Sequence, residues 1–437
     1  MDTTRRNMLK TALLGSGMLG LRSVATGIPM AALLSGRIPE AHAEGDPTEE
    51  PQSLVLFTSQ AGDPFNANAP GCYTGVSGVY NNPHASMAPT SMMLGDVETV
   101  AAKPWAEAPQ WILDRTSFIH HRTYLNTHPA YSKVLGLVGS AKAPGGNGSD
   151  MVASVYSSEL AEPLHTIQQE PISLAKGELS FQGRALQSLR PSMLREMFAP
   201  QDGLQLDLQQ LRDQTLDDLH EQLRDGGTHA QKTWLDRHAI SRDQVRSIDE
   251  GLLERFATLD NDNTTSQIRA AVTLIMMKVS PVIAIQINFG GDNHKDTDLS
   301  KERDETISGV ASWTMLFDEL VAAGIEDEVT VANLNVFGRT LRNQSGKGRD
   351  HNLNHHVMSI TGKHVRGSVI GGIEPSGNDY GATSIDSVTG ASGGDIPVDQ
   401  TLEAAAHTLG RALGLPQDRL DERIADGTPV LAALAEV

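Results

Sequence analysis

The stretch Pro281–His294, "PVIAIQINFGGDNH", decides how the rest of the chain is read. Six residues of mostly β-branched and aliphatic character run without alternation. Then the texture breaks into Gly-Gly, an acid, an amide and an imidazole. An unalternating apolar run bounded by turn residues is the pattern of a strand buried on both faces. Such strands belong to sheets with helices on either side. The pattern also places polar residues at the strand's carboxyl end, where open α/β sheets bind their ligands.

Working outward, the same alternation recurs. "ETISGVASWTMLFDELVAAG" (305–324) follows as a helix that stops at Gly324. "DEVTVANLNVFGRT" (327–340) is the next strand and loop. "HHVMSITG" (355–362) and "GSVIGG" (367–372) read as shorter strands, and "TLEAAAHTLGRALGL" (401–415) as a closing helix. Toward the N-terminus, "SLVLFTS" (53–59) is a buried strand ending in "QAGDP", and "TSFIHHRTY" (116–124) a second. "THPAYSKVLGLVGS" (127–140) reads as a helix capped by Thr127. From about 160 to 278 leucines at helical spacing, as in "LDLQQLRDQTLDDLHEQLRD", predict a helical insertion. The expected fold is α/β, with a mostly parallel central sheet and helices on both faces.

The N-terminus reads as an export signal. Arg5 and Arg6 precede the apolar run "TALLGSGMLGL", and "AHA" ends it, with cleavage expected after Ala43. Residues 44–52 are then a linker, and 53–437 the folded domain. Loss of residues 1–43 removes five Lys/Arg and two Asp/Glu, moving the formal charge from -19 to -22. An acidic chain is a poor partner for nucleic acid. No segment is apolar enough for a permanent membrane span. The single cysteine, Cys72, forms no intrachain disulfide. The expected location is the periplasm or the cell exterior, reached through the twin-arginine export machinery.

The unusual polar residues gather at strand ends. Asp63 follows the first strand, Thr127 and His128 the second, Asp292 and His294 the "AIQIN" strand, and Arg339 the "TVANLN" strand. Asp350, His351, His355 and His356 come in the same loop as Arg339, "FGRTLRNQSGKGRDHNLNHH" (337–356). Asp and neutral His form the ligand set of zinc and manganese sites. The same residues also cap helices and stabilise turns. Arg339 suits a bidentate grip on a phosphate or sulfate, or a surface ion pair. Thr127 suits a nucleophile at a helix N-terminus, or a plain cap; Ser86 and Thr90 are alternative hydroxyls. The chain lacks a P-loop, a His-Glu-x-x-His and the haem or iron–sulfur cysteine spacings.

Asp292-Asn293-His294 after a strand, Phe337-Gly338-Arg339-Thr340, Gly348-Arg349-Asp350-His351, Gly362 and Val365-Arg366-Gly367 together resemble a family. It is the domain of unknown function numbered 1501, exported bacterial proteins related to the alkaline phosphatase and sulfatase superfamily. The likeness spans about residue 50 to the end and is sharpest between 288 and 372. It implies an alkaline-phosphatase-like fold and a hydrolase of phosphate or sulfate esters. It implies a divalent metal (zinc, manganese or calcium) held by Asp63, Asp292, His294, Asp350 and His351. It implies Thr127 in the place of the family's Ser, and Asn66 in the place of the Asn of the first loop. The chain departs from the pattern where the family has Ser-Glu before Phe-Gly-Arg: it has Asn335-Val336, and valine ligates nothing. The first loop, Gln60-Ala61-Gly62-Asp63-Pro64, lacks the tandem glycines. The other reading is a non-catalytic member of the same fold, acting as an exported binding or assembly protein.

Overall fold

The computed structural model describes residues 50–435 except 59–61, 74–77, 124–151, 176–178, 182–183, most of 199–249, 336, 343–345 and 425. Seven strands form the central sheet: β1 (Ser53–Thr58), β2 (Thr116–His121), β3 (Ile172–Ser173), β4 (Val282–Gln286), β5 (Val329–Asn333), β6 (His356–Thr361) and β7 (Ser368–Ile370), in the order β7-β2-β6-β5-β1-β4-β3. β1 lies between β4 and β5, parallel to both, with Leu54 opposite Val282 and Thr330. β3 is parallel to β4, and β7 to β2.

The sheet is mostly parallel, as expected, but it is mixed: four of its six strand pairs are parallel and two are antiparallel. β6 runs antiparallel to both of its neighbours, β2 and β5. The amino end of β6, at His356, lies at the same edge as the carboxyl end of β2, with His356 opposite His121.

The apolar runs split cleanly between two cores. Val55, Phe57, Ile283 and Ile285 pack on one face with Ile268 and Val272 of α3 (Thr264–Met276) and Trp313 and Phe317 of α4 (Ser300–Ala323). Leu54, Leu56, Val282 and Ala284 pack on the other face with Tyr156 of α2 (Val152–Leu160) and Leu409 of α5 (Thr401–Ala412). Alternate residues point to opposite faces, so a strand covered on both sides must be apolar throughout. The Tyr156 hydroxyl donates to the Ala406 carbonyl at 2.6 Å, tying α2 to α5. α4 ends at Gly324, which is left-handed (φ 68°) and donates back to Leu320 and Val321.

The segment expected as a helical insertion contributes more than helices. It supplies the edge strand β3 and a small hairpin, Leu179–Phe181 with Arg184–Leu186. Its last helix, α3, is part of the main core. The leader 1–43, residues 44–49 of the linker and the 127–140 helix lie outside the described residues. No helix among the described residues is long and apolar enough to cross a membrane.

Candidate metal and anion site

Three loops, those after β1, β4 and β5, reach one edge of the sheet, and hydrogen bonds fix them to one another. After β1 comes Asp63, wholly buried. Its Oδ1 accepts from the Phe65 N–H and from Asn335 Nδ2, both at 3.1 Å. That joins the loop after β1 to the loop after β5. Asn66, in the short helix α1 (Phe65–Asn68), reads the Arg339 backbone in both directions. Its Oδ1 accepts from the Arg339 N–H at 2.8 Å and its Nδ2 donates to the Arg339 carbonyl at 2.9 Å. The loop after β4 is held by Gly348, whose N–H donates to the His294 carbonyl at 3.0 Å. A Cβ at Gly348 would collide with the Asn293 carbonyl, so only glycine permits this approach.

Beneath these loops lies a buried ion pair. Arg349 Nε donates to Glu302 Oε2 at 2.7 Å, and neither side chain has more than 2% of its surface exposed. Asn293 Nδ2 donates to Glu302 Oε2, and Arg349 Nη2, Asn68 and Asn82 donate to Oε1. Glu302 stands in the first turn of α4, where the helix dipole favours a carboxylate. Asp296, in the loop before α4, accepts with its carboxylate from the Lys301 and Glu302 N–H groups of the first turn.

The polar surface above this base carries the expected residues. His294 Nε2 is 2.9 Å from His351 Nε2, and His294 Nδ1 is 3.5 Å from Asp350 Oδ1. Asp292 Oδ1 lies 3.5 Å from His294 Nε2. The His351 ring stacks on Phe337, with centroids 4.0 Å apart, which fixes its plane. The side chains of Asp350 and Asp292 are 63% and 51% exposed, and that of His294 is 37% exposed, so this group opens to solvent. One ligand atom from each of His294, Asp350 and His351 lies within 4.8 Å of the others. Two imidazoles and a carboxylate at that spacing are compatible with a divalent ion of the zinc or manganese kind.

Arg339 is turned inward. Its side chain is fully buried, and its guanidinium donates to Asp292 Oδ1, to the carbonyls of Gly62, Gly291 and Arg349, and to His294 Nε2. Burial pulls its pKa below the ordinary guanidinium value, opposed by the charges of Asp292 and Asp63.

A second cluster lies deeper. Cys72, His120 and His355 are fully buried, and their ligand atoms also converge within 4.8 Å. Their hydrogen bonds form a chain that closes without an ion. Asn66 Nδ2 donates to His355 Nδ1 at 3.1 Å. His355 Nε2 then carries the proton and donates to His120 Nδ1 at 3.0 Å. His120 Nε2 in turn donates to the Pro70 carbonyl at 3.2 Å. Asn66 cannot flip to serve a metal-bound His355 without breaking both bonds to the Arg339 backbone. Burial holds His120 and His121 down to about 4, drives His355 and His356 well below their ordinary value, and pushes the Cys72 thiol up. All four imidazoles are therefore neutral at pH 7.

Asp63, Asp292, His294, Arg339, Asp350 and His351 thus share one edge of the sheet. Thr127, His128 and Val336 lie outside the described residues. Ser86 is exposed in a short turn, and the Thr90 hydroxyl donates to the Ala88 carbonyl at 3.0 Å. Sequence reasoning missed Glu302 and the Cys72 cluster. Glu302 sits in the charged run "SKERDET" (300–306), which reads as a solvated helix start.

Residues 186–386 match the family described as "Protein of unknown function (DUF1501)". That segment holds Asp292, His294, Arg339, Asp350 and His351, and leaves out Asp63, Cys72 and Thr127. No curated protein matches the chain.

Proposed function

We propose that this protein is an exported, alkaline-phosphatase-like hydrolase of phosphate or sulfate esters that works with a divalent metal. The convergence of His294, Asp350 and His351 at the solvent-facing edge of the sheet carries this reading. These three residues would hold the ion, with Asp292 beside them. When bound, the ion supplies Lewis-acid polarisation of an ester oxygen. The chain's own contribution is positioning. Phe337 fixes the His351 ring. Arg339 Nη1 donates to His294 Nε2 at 3.2 Å and orients that imidazole. The buried Arg349–Glu302 pair holds the two ligand loops together. The hydroxyl nucleophile in this reading is Thr127. Release of phosphate or sulfate from aryl esters, lost in Asp350→Ala and His351→Ala, tests it. Wild-type protein that carries metal but cleaves no ester in a broad screen would overturn the hydrolase part.

Export by the twin-arginine route belongs to the same proposal. Arg5→Lys with Arg6→Lys is expected to leave the full-length chain in the cytoplasm, as cell fractionation would show; normal export of that variant would refute it.

One observation favours the second reading, a non-catalytic binding or assembly protein. Two carboxylates of the expected metal set already have partners: Asp292 accepts from Arg339, and Asp63 from Asn335 and Phe65.

A further inference from the structure

The surroundings of Arg339 have the chemistry of a cation site. The guanidinium meets the Gly62 carbonyl at 3.0 Å from Nη2 and 3.3 Å from Nε. It meets the Gly291 carbonyl at 3.4 Å, the Arg349 carbonyl at 3.5 Å, Asp292 Oδ1 at 3.3 Å and His294 Nε2 at 3.2 Å. Carbonyl oxygens, a carboxylate and an imidazole are the donors that hard and borderline dications take. They come from three loops, those after β1, β4 and β5, and they face a fully buried centre. Lone pairs gathered inward in this way repel one another unless a positive charge lies among them. The charge here is covalently attached, and it is +1 in place of +2. His294 stands between this centre and the exposed group formed with Asp350 and His351, so the two positions share a ligand residue.

We propose that Arg339 is the resident cation of this edge, in the position of a second metal ion. The protein then takes one exchangeable divalent ion, at His294, Asp350 and His351, and not a pair. This rests on the metal reading above, and the test separates the two. An anion reaching the site meets the guanidinium only through its electrostatic field, since the donors are spent on the chain's own acceptors.

Chelator-treated protein would be titrated with Mn²⁺ by calorimetry, and the filled protein examined by electron paramagnetic resonance. The expected wild-type result is one equivalent with the spectrum of an isolated ion. Two ions roughly 3.5–4 Å apart would couple their spins; two equivalents with a coupled spectrum in the wild type overturns the proposal without any variant. Arg339→Ala is expected to take two equivalents, and Arg339→Lys, which keeps the charge, only one. Millimolar guanidinium added to Arg339→Ala should displace the second ion. One equivalent in both wild type and folded Arg339→Ala overturns the proposal while leaving the metal reading standing. No ion in the wild type and one in Arg339→Ala supports the resident cation and overturns the metal reading. No ion in either overturns both.

Discussion

Glu302 has no exposed surface, and five hydrogen bonds from four side chains converge on its carboxylate. It faces neither His294 nor Asp350, yet the loops that carry them are joined through it. Asn293 lies between Asp292 and His294, and Arg349 directly precedes Asp350. A buried pair stripped of one partner leaves an uncompensated charge, at a cost of about 3–5 kcal/mol. Glu302→Ala should therefore lower stability by about that much in urea unfolding, and Glu302→Gln by less, because an amide still accepts hydrogen bonds. A cost under about 1 kcal/mol for Glu302→Ala would mean the loops are held by other contacts. His356 gives the opposite expectation. It is fully buried and stacked on Phe65, and neither ring nitrogen has a hydrogen-bond partner among the described residues. His356→Phe removes the desolvation of two polar atoms and keeps the stack. It should leave stability unchanged or raise it by about 1 kcal/mol; a loss of several kcal/mol would assign those nitrogens a partner.

At the scale of elements, glycine positions separate two kinds of constraint. Gly324 closes α4 in the left-handed region, and nothing lies within 4 Å of an added Cβ. Alanine there pays only the backbone strain, about 1 kcal/mol. Gly348 is crowded instead: a Cβ strikes the Asn293 carbonyl, and its N–H holds the His294 carbonyl. Gly348→Ala should weaken metal uptake as well as stability, whereas Gly324→Ala should change stability alone; calorimetry on both variants decides. The elements themselves were mostly legible. β1, β4 and β5 read as strands because burial on both faces leaves unbroken apolar runs between turn residues. The direction of β6 was not legible, since an apolar strand flanked on both sides carries the same pattern either way. The Pro89–Leu94 and Val97–Ala102 hairpin was missed because its exposed face mixes Met, Thr and Ser and shows no clean alternation. For the site, Asp292, His294, Asp350 and His351 were visible because no core needs acids and imidazoles after apolar strands. Glu302 and Cys72 were not, because burial is a property of the fold and their neighbours in sequence are unremarkable.

For the whole molecule, the four histidines at the junction of β2 and β6 couple stability to pH. Each has a folded-state pKa depressed below the unfolded value of about 6.5, to about 4 for His120 and His121. Above pH 6.5 both states are neutral and the groups contribute nothing. As pH falls below that, the unfolded chain takes up protons that the folded chain refuses, and stability declines down to about pH 4. The slope is about 1.4 kcal/mol per pH unit for each such group. The unfolding midpoint should therefore drop steeply between pH 6.5 and 4, and His356→Phe should flatten that limb. A midpoint constant over that range would contradict neutral burial of these rings.

The central claim is that His294, Asp350 and His351 hold a metal ion. Elemental analysis of the protein, purified without chelator beside the Asp350→Ala/His351→Ala variant, tests it most directly. One equivalent of zinc, manganese or calcium in the wild type and none in the folded variant is the predicted result. A folded wild type that carries no metal and takes none up on addition would contradict it, as would equal metal content in the two proteins.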